Sequence, residues 1–292
     1  MSIQKYLAFI KVADLGSFTK AAIELRYTQS SISQMISHLE REWQVTLLTR
    51  CKSGVKLTSE GMLLLPYVRK LCESYHELNA GVDSVHGVQS GLIRIATFPS
   101  IAGTWLPGVI RAFICEFPLV DFEILMGDYR EITQMMQDGR IDCAVMSSPL
   151  IDKTTFDFTF IENDNYVVLL SKESPLTKYD KIPLSILAEE PMIMLEKDGL
   201  TEEISSFFKH YKLTPNIRFR AWDNNAIMCM VENNLGISIL SELMIERSPY
   251  HIVARSLEVP AYRRIGYCVR DIQQVSTLVK KFLEYVRQQK EI

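Results

Sequence analysis

The sequence predicts two unlike parts: a small, mostly helical head closed by a basic β-hairpin, and, beyond one long helix, a larger α/β body. Three observations lead there. Helical patterns over residues 3–42 end in a strand-turn-strand segment, a heptad stripe runs through residues 61–85, and from residue 92 onward strand-like apolar runs alternate with helical ones. At 292 residues, with 47% hydrophobic and 23% charged content, the chain is long for one domain and comfortable for two.

In the head, Ile3, Leu7, Ile10 and Ala13 recur at three- and four-residue steps, with Tyr6 and Phe9 widening the apolar face, and Gly16 supplies the stop. Ser17 caps a short second helix over residues 18–25, in which Ala21 and Ala22 allow a neighbouring helix to approach closely. Arg26 and Tyr27 make a turn, and Thr28 caps a third helix running to about residue 42. One face of that helix, Ile32, Met35, Ile36, Leu39 and then Trp43, points inward. The other carries Gln29, Ser30, Ser33, Gln34, Ser37 and Arg41. A merely solvated face favours Glu and Lys, whereas short Ser and Gln groups let a helix sit deep in a DNA major groove, where Gln pairs two-pronged with adenine and hydroxyls accept or donate. The segment LLTRCKSGVKLT then reads as two short strands around Lys52-Ser53-Gly54, with Arg50, Lys52 and Lys56 at the tip. A basic hairpin after such a helix is a wing, placed to hold backbone phosphates.

Gly61, Leu64, Val68, Leu71, Tyr75, Leu78, Val82 and Val85 follow one another at alternating steps of three and four. This predicts one long helix whose stripe pairs with a second copy, or alternatively packs on its own domain. Pro66 lies near its start, and His86-Gly87 and Ser90-Gly91 break the pattern. In the body, residues 92–97, 122–126, 143–146, 166–170, 192–195, 217–222, 237–240 and 265–269 read as strands of largely parallel sheets.

Charge divides the same way. The net charge is -3, yet residues 1–60 hold eight Lys and Arg against five acids, leaving a basic head on an acidic body. Six scattered cysteines, without a CxxC pair or a neighbouring His, argue against a metal site and a disulfide framework. No GxSxG setting, phosphate-cradling glycine loop or ligand-spaced His occurs, so no enzyme activity and no cofactor are expected. Without a leader or an apolar run long enough to cross a bilayer, the chain is expected in the cytoplasm.

The segment SFTKAAIELRYTQSSISQMISHLEREWQVTLLTRCKSGVKLTSEG resembles the N-terminal signature of the LysR-type transcription regulators. Ser17-Phe18-Thr19, Ala21-Ala22, Thr28-Gln29-Ser30, Ile32-Ser33, Leu39-Glu40, Leu47-Leu48, Arg50 and Leu57-Thr58 with Gly61 stand where that pattern wants them. Two positions depart from it: Leu48 stands where an aromatic is usual, and Ser30 replaces a common Pro. Gly91-Leu92-Ile93-Arg94-Ile95, residues 138–142 and Asn234-Leu235-Gly236-Ile237-Ser238 extend the likeness along the chain.

The resemblance implies a multidomain protein: an all-α-type winged helix-turn-helix (residues 1–58), a linker and dimerisation helix (59–90), and an α/β two-lobed, periplasmic-binding-protein-like effector domain (91–292). By analogy, lobe one is residues 92–162 with 264–292 and lobe two is 163–263. The implied partners are double-stranded DNA carrying a roughly palindromic operator, a small-molecule effector, a second copy in a homodimer or homotetramer, and RNA polymerase as a further candidate; no membrane is among them. Gln29, Ser30, Ser33 and Gln34 are expected to meet bases, and Thr19, Thr28, Arg50 and Lys52 to hold phosphates.

Residues 97–101 follow the first body strand and precede a helix beginning near Thr104, so their backbone N–H groups and the hydroxyls of Thr97, Ser100 and Thr104 are expected, with Ile101, to receive an anionic effector. The resemblance sets Asp128, Met146, Ser147, Thr201 and Asp223 across the cleft, and Phe98, Trp105 and Trp222 are candidate apolar lining. Two alternatives stand beside this reading. One is the same DNA-binding regulator without a metabolite effector. The other is a thiol redox sensor using Cys143 or Cys229, both expected on apolar faces.

Overall fold

A computed structural model describes residues 3–51, 54–85, 90–147, 156–196 and 200–288. The chain divides into two compact units, residues 1–91 with 137–140, and residues 92–136 with 141–292.

The first unit opens with α1 (Gln4–Leu15), α2 (Phe18–Glu24) and α3 (Gln29–Trp43). Gly16 ends α1 with φ 58°, a left-handed conformation that costs glycine little, and the Ser17 hydroxyl accepts from Lys20 N to start α2. Thr28 caps α3 by accepting from Ser31 N at 3.1 Å. Ala21 and Ala22 are sealed against the other helices, and Ile32, Ile36 and Leu39 send the apolar face of α3 into the same core as Phe9 and Val12. The wing is an antiparallel hairpin, β1 (Leu48–Cys51) on β2 (Gly54–Leu57), with Leu48 opposite Leu57. Glu40 binds its base through Leu47 N and Leu48 N, and Val55 N donates to Gly16 O.

The long helix α4 spans Ser59–Val85, beginning where the Thr58 hydroxyl accepts from Gly61 N. It comes so near the wing base that a Cβ on Gly61 would lie 2.2 Å from Leu47 O. The stripe divides into a packed half and an exposed half. Leu64, Leu65, Val68 and Cys72 join the core of the unit, whereas Leu71 (47% exposed), Tyr75, Leu78 (64% exposed) and Val82 face solvent. The side chain of Val85 lies outside the described residues.

The second unit holds an eight-stranded sheet. Its strands are β3 (Ser90–Thr97), β4 (Leu119–Met126), β5 (Cys143–Ser147), β6 (Asp157–Ser171), β7 (Lys181–Ile182), β10 (Ser238–Ser241), β11 (Ile252–Leu257) and β12 (Tyr262–Val269), in the order β4-β3-β5-β12-β6-β11-β7 with β10 also on β6. A separate parallel pair joins β8 (Met192–Leu195) and β9 (Ile217–Ala221). The expectation of largely parallel sheets is corrected at the centre. β3 on β5 and β11 on β7 are parallel, but β12 on β5, and β12, β10 and β11 on β6, are antiparallel.

Two lobes follow from one strand. The first half of β6 pairs with β12 beside β5 and β3, over cores formed with α6 (Leu106–Glu116), α7 (Tyr129–Gln137) and α12 (Thr277–Arg287). Its second half, Tyr166 to Ser171, pairs with β10 and β11 over a core shared with α8 (Leu184–Glu189), α9 (Leu200–His210) and α10 (Asn224–Glu232). The remaining short helices are α5 (Pro99–Ala102) and α11 (Glu242–Ile245).

Candidate functional site

On α3, Gln29, Ser30, Gln34, Ser37 and Arg41 are exposed above the buried Ile32, Ile36 and Leu39, so the sequence separates an outward short polar face from an inward apolar one. Ser33 is half-buried and accepts from Arg50 of the wing at 3.5 Å, while the Arg50 guanidinium lies 4.9 Å from the ring centroid of Phe18. Arg50 is thereby held between the wing and α3. Thr19 and Thr28 are exposed, and the Thr28 hydroxyl is shared with Ser30 Oγ and Ser31 Oγ at 2.9 and 2.8 Å. Lys52 lies outside the described residues.

In the body, the loop expected to receive an anion is already engaged. The Thr97 hydroxyl donates to Val145 O, that of Thr104 donates to Ser100 O, and Ile101 N and Ala102 N both donate to Phe98 O as α5 forms. The helix expected near Thr104 is therefore two pieces, α5 and α6, because Gly103 and Thr104 close the first turn before Leu106. Ser100 keeps a distinct position. Its oxygen accepts from Nη2 of Arg263 at 2.9 Å, which leaves its own hydrogen free to be given.

Arg263 anchors a buried network that sequence reading missed. Its Nε donates to Asp164 Oδ2 at 2.7 Å, and the other Asp164 oxygen accepts from Leu243 N at the start of α11. Nearby, Glu203 of α9 accepts from the Tyr166 hydroxyl and, at 3.5 Å, from Ser147 Oγ, whose backbone oxygen is held by Tyr129. Burial raises the Glu203 carboxyl above its ordinary value, against the lowering by the Tyr166 bond, the Arg263 charge and the Ser147 bond. Burial also holds the Tyr166 phenol above its usual range, with the neighbouring Glu203 acting in the same direction.

The other expected cleft residues separate. Ile101 and Met146 are core side chains, Asp128 caps α7 through Glu131 N, Asp223 caps α10 through Ala226 N, and the Thr201 hydroxyl donates to Leu195 O. Phe98 and Trp105 are half-buried against the lobe-one core, but Trp222 is 71% exposed and lines no apolar pocket. Cys143 is buried as expected, whereas Cys229 is exposed, since it falls on the outer side of α10. Burial pushes the Cys143 thiol well up, that of Cys268 up to about 12 and that of Cys72 up to about 11, which disfavours the reactive thiolate form at all three. Among the described residues no group of His, Cys, Asp and Glu could hold a metal, and no helix is long and apolar enough to cross a membrane.

Comparison with known families and proteins gives a consistent result. Residues 3–62 match the bacterial regulatory helix-turn-helix protein model of the lysR family, and residues 86–291 match the LysR substrate binding domain. The HTH-type transcriptional regulator YvbU of Bacillus subtilis is 27% identical over 291 residues, 99% of this chain and 98% of that one. The HTH-type transcriptional activator CmpR of Synechocystis is 27% identical over 98% of this chain and 94% of its own. Among solved structures, a full-length OxyR variant from Pseudomonas aeruginosa superposes with a TM-score of 0.78 at 17% identity, covering 98% of this chain and 95% of that chain. CbnR, a LysR family transcriptional regulator, superposes with a TM-score of 0.70 at 20% identity, covering 99% of each.

Proposed function

This chain belongs to the LysR family of transcriptional regulators, with a helix-turn-helix domain and an effector-binding domain, and from that premise we propose how its own residues divide the work. Residues 1–58 bind double-stranded DNA, residues 59–90 link and pair two copies, and residues 91–292 respond to a small-molecule effector. The observation that carries the reading is the outward face of α3. Gln29, Ser30 and Gln34 are free of the core and short enough to reach base edges, with Ser33 beside them, while Arg50 on the wing, Thr19 and Thr28 at helix starts, and Lys52 hold phosphates.

Pairing uses the exposed half of the α4 stripe, giving a dimer, or a tetramer of two such dimers, on a roughly palindromic operator. RNA polymerase is the further partner by which such a complex alters transcription, in the cytoplasm. The effector is a small anion that takes the hydrogen of Ser100 and the remaining edge of Arg263, with Ser147 at the end of β5 on the same lobe and Thr201 of α9 on the other. Selection of sites from random duplex DNA by the full chain tests the first part: a two-fold-symmetric sequence is expected, and enrichment of no sequence overturns it. For the effector, thermal-shift screening of the full chain against small carboxylates is expected to find one that raises the melting temperature and changes the DNA footprint.

A further inference from the structure

The network around Glu203 ties the two lobes through a carboxylate. Glu203 belongs to α9 in lobe two, and its Oε1 is met by Ser147, the last residue of β5 in lobe one, while Oε2 is met by Tyr166 on β6. Among the described residues, the charged groups that act on it are Arg263 from β12 and Asp164 from β6. Arg263 is only 4% exposed and already neutralised by Asp164 at 2.7 Å, so an ionised, half-buried Glu203 leaves this group of three charges with a surplus negative one. We propose that Glu203 is a proton-operated tie between the lobes, which takes up a proton when an anionic effector enters the cleft.

The charge balance fixes the direction. A carboxylate effector beside Ser100 and Arg263 adds one more negative charge to a site holding Asp164 and Glu203, and two close carboxylates in a poorly solvated place do not both stay ionised. One proton then moves from solvent to a Glu203 oxygen, the Glu203 hydroxyl donates to Ser147 or Tyr166, and the net charge of the site is unchanged. Anionic effectors consequently bind more tightly as pH falls. The upward displacement of the Glu203 carboxyl by burial agrees, since it marks a group that already holds its proton more firmly in the folded chain than in the unfolded one.

This inference rests on the effector reading for its regulatory consequence, but its test uses the full chain alone, without effector or DNA. A raised carboxyl stabilises the fold at low pH, and that contribution is lost as pH climbs from 4.5, the ordinary value, through the folded value. The melting temperature of Glu203→Gln minus that of wild type is therefore expected to lie near zero at the acid end, to grow with pH and to level off. In a Ser147→Ala background the midpoint of that rise is expected to move to higher pH, because the ionised form has lost a donor from the other lobe. A difference that stays flat with pH overturns the proton uptake. A midpoint indifferent to Ser147→Ala overturns the tie between lobes, and neither result touches the DNA or effector assignments.

Discussion

Arg263 and Asp164 stand directly opposite one another on β12 and β6, and the guanidinium of one donates to the carboxylate of the other at 2.7 Å with both side chains almost sealed from water. Removing one partner strands the other. Asp164→Ala leaves a buried guanidinium uncompensated and also deprives Leu243 N of its acceptor, and is expected to cost about 3–5 kcal/mol in chemical denaturation of the full chain. The double change Asp164→Ala with Arg263→Met is expected to recover much of that loss, and a double mutant as unstable as the single one contradicts this account.

Base reading and phosphate holding fail differently. Gln29→Ala is expected to weaken binding to the selected site by about 1–3 kcal/mol and to broaden the preferred sequence, while Lys52→Ala weakens binding to every duplex and flattens the salt dependence by about one unit. Binding titrations at several salt concentrations on selected and scrambled DNA separate the two. An unchanged sequence preference in Gln29→Ala removes that residue from the interface.

The long helix provides an internal control because its stripe has one packed and one exposed half. Leu71→Glu with Leu78→Glu puts charges on the exposed half, and is expected to yield monomers by light scattering with the head still folded. Leu65→Ala, in the half that packs on the head, is expected to lower stability by about 2–5 kcal/mol without that change in mass. A double mutant that stays dimeric locates the pairing surface elsewhere.

Gly61 stands where no side chain fits, with Leu47 O only 2.2 Å from the position of a Cβ. Gly61→Ala gains helix propensity but must push α4 off the wing base, and a net loss on the order of 1–3 kcal/mol is expected from thermal melts. A gain in stability overturns the argument from close approach.

The head was legible almost residue by residue because its elements are local. Gly16, Ser17 and Thr28 mark helix ends by their own chemistry, and the Ile32-Ile36-Leu39 stripe has a single solution. The body was legible only in its apolar runs. Residues 157–165, with Asn163, Asp164 and Asn165, were not among the strands expected from apolar runs, yet long-range pairing with β12 holds them in a strand. Arg263 was missed for the same reason, since a charge on a strand looks like a solvated edge until a partner 99 residues away is seen to neutralise it. At the Ser100 loop, which hydroxyls were already engaged depended on Val145 and Arg263, far off in sequence.

β6 runs without interruption from Asp157 to Ser171, a rod of roughly 50 Å, bonded to β12 along its first part and to β10 and β11 along its second. A body mounted twice on one such rod has one step, Asn165 to Tyr166, at which the rod changes ladder partners from β12 to β10 and β11. It can be wrung, since strand twist is soft and accumulates along the length. The irregular step at Ile265/Gly266, where a side chain in place of Gly266 would strike Thr159 O, interrupts the β12 ladder and is the natural place for that torsion to gather. Torsion about the rod is the motion that this framework accommodates along its length.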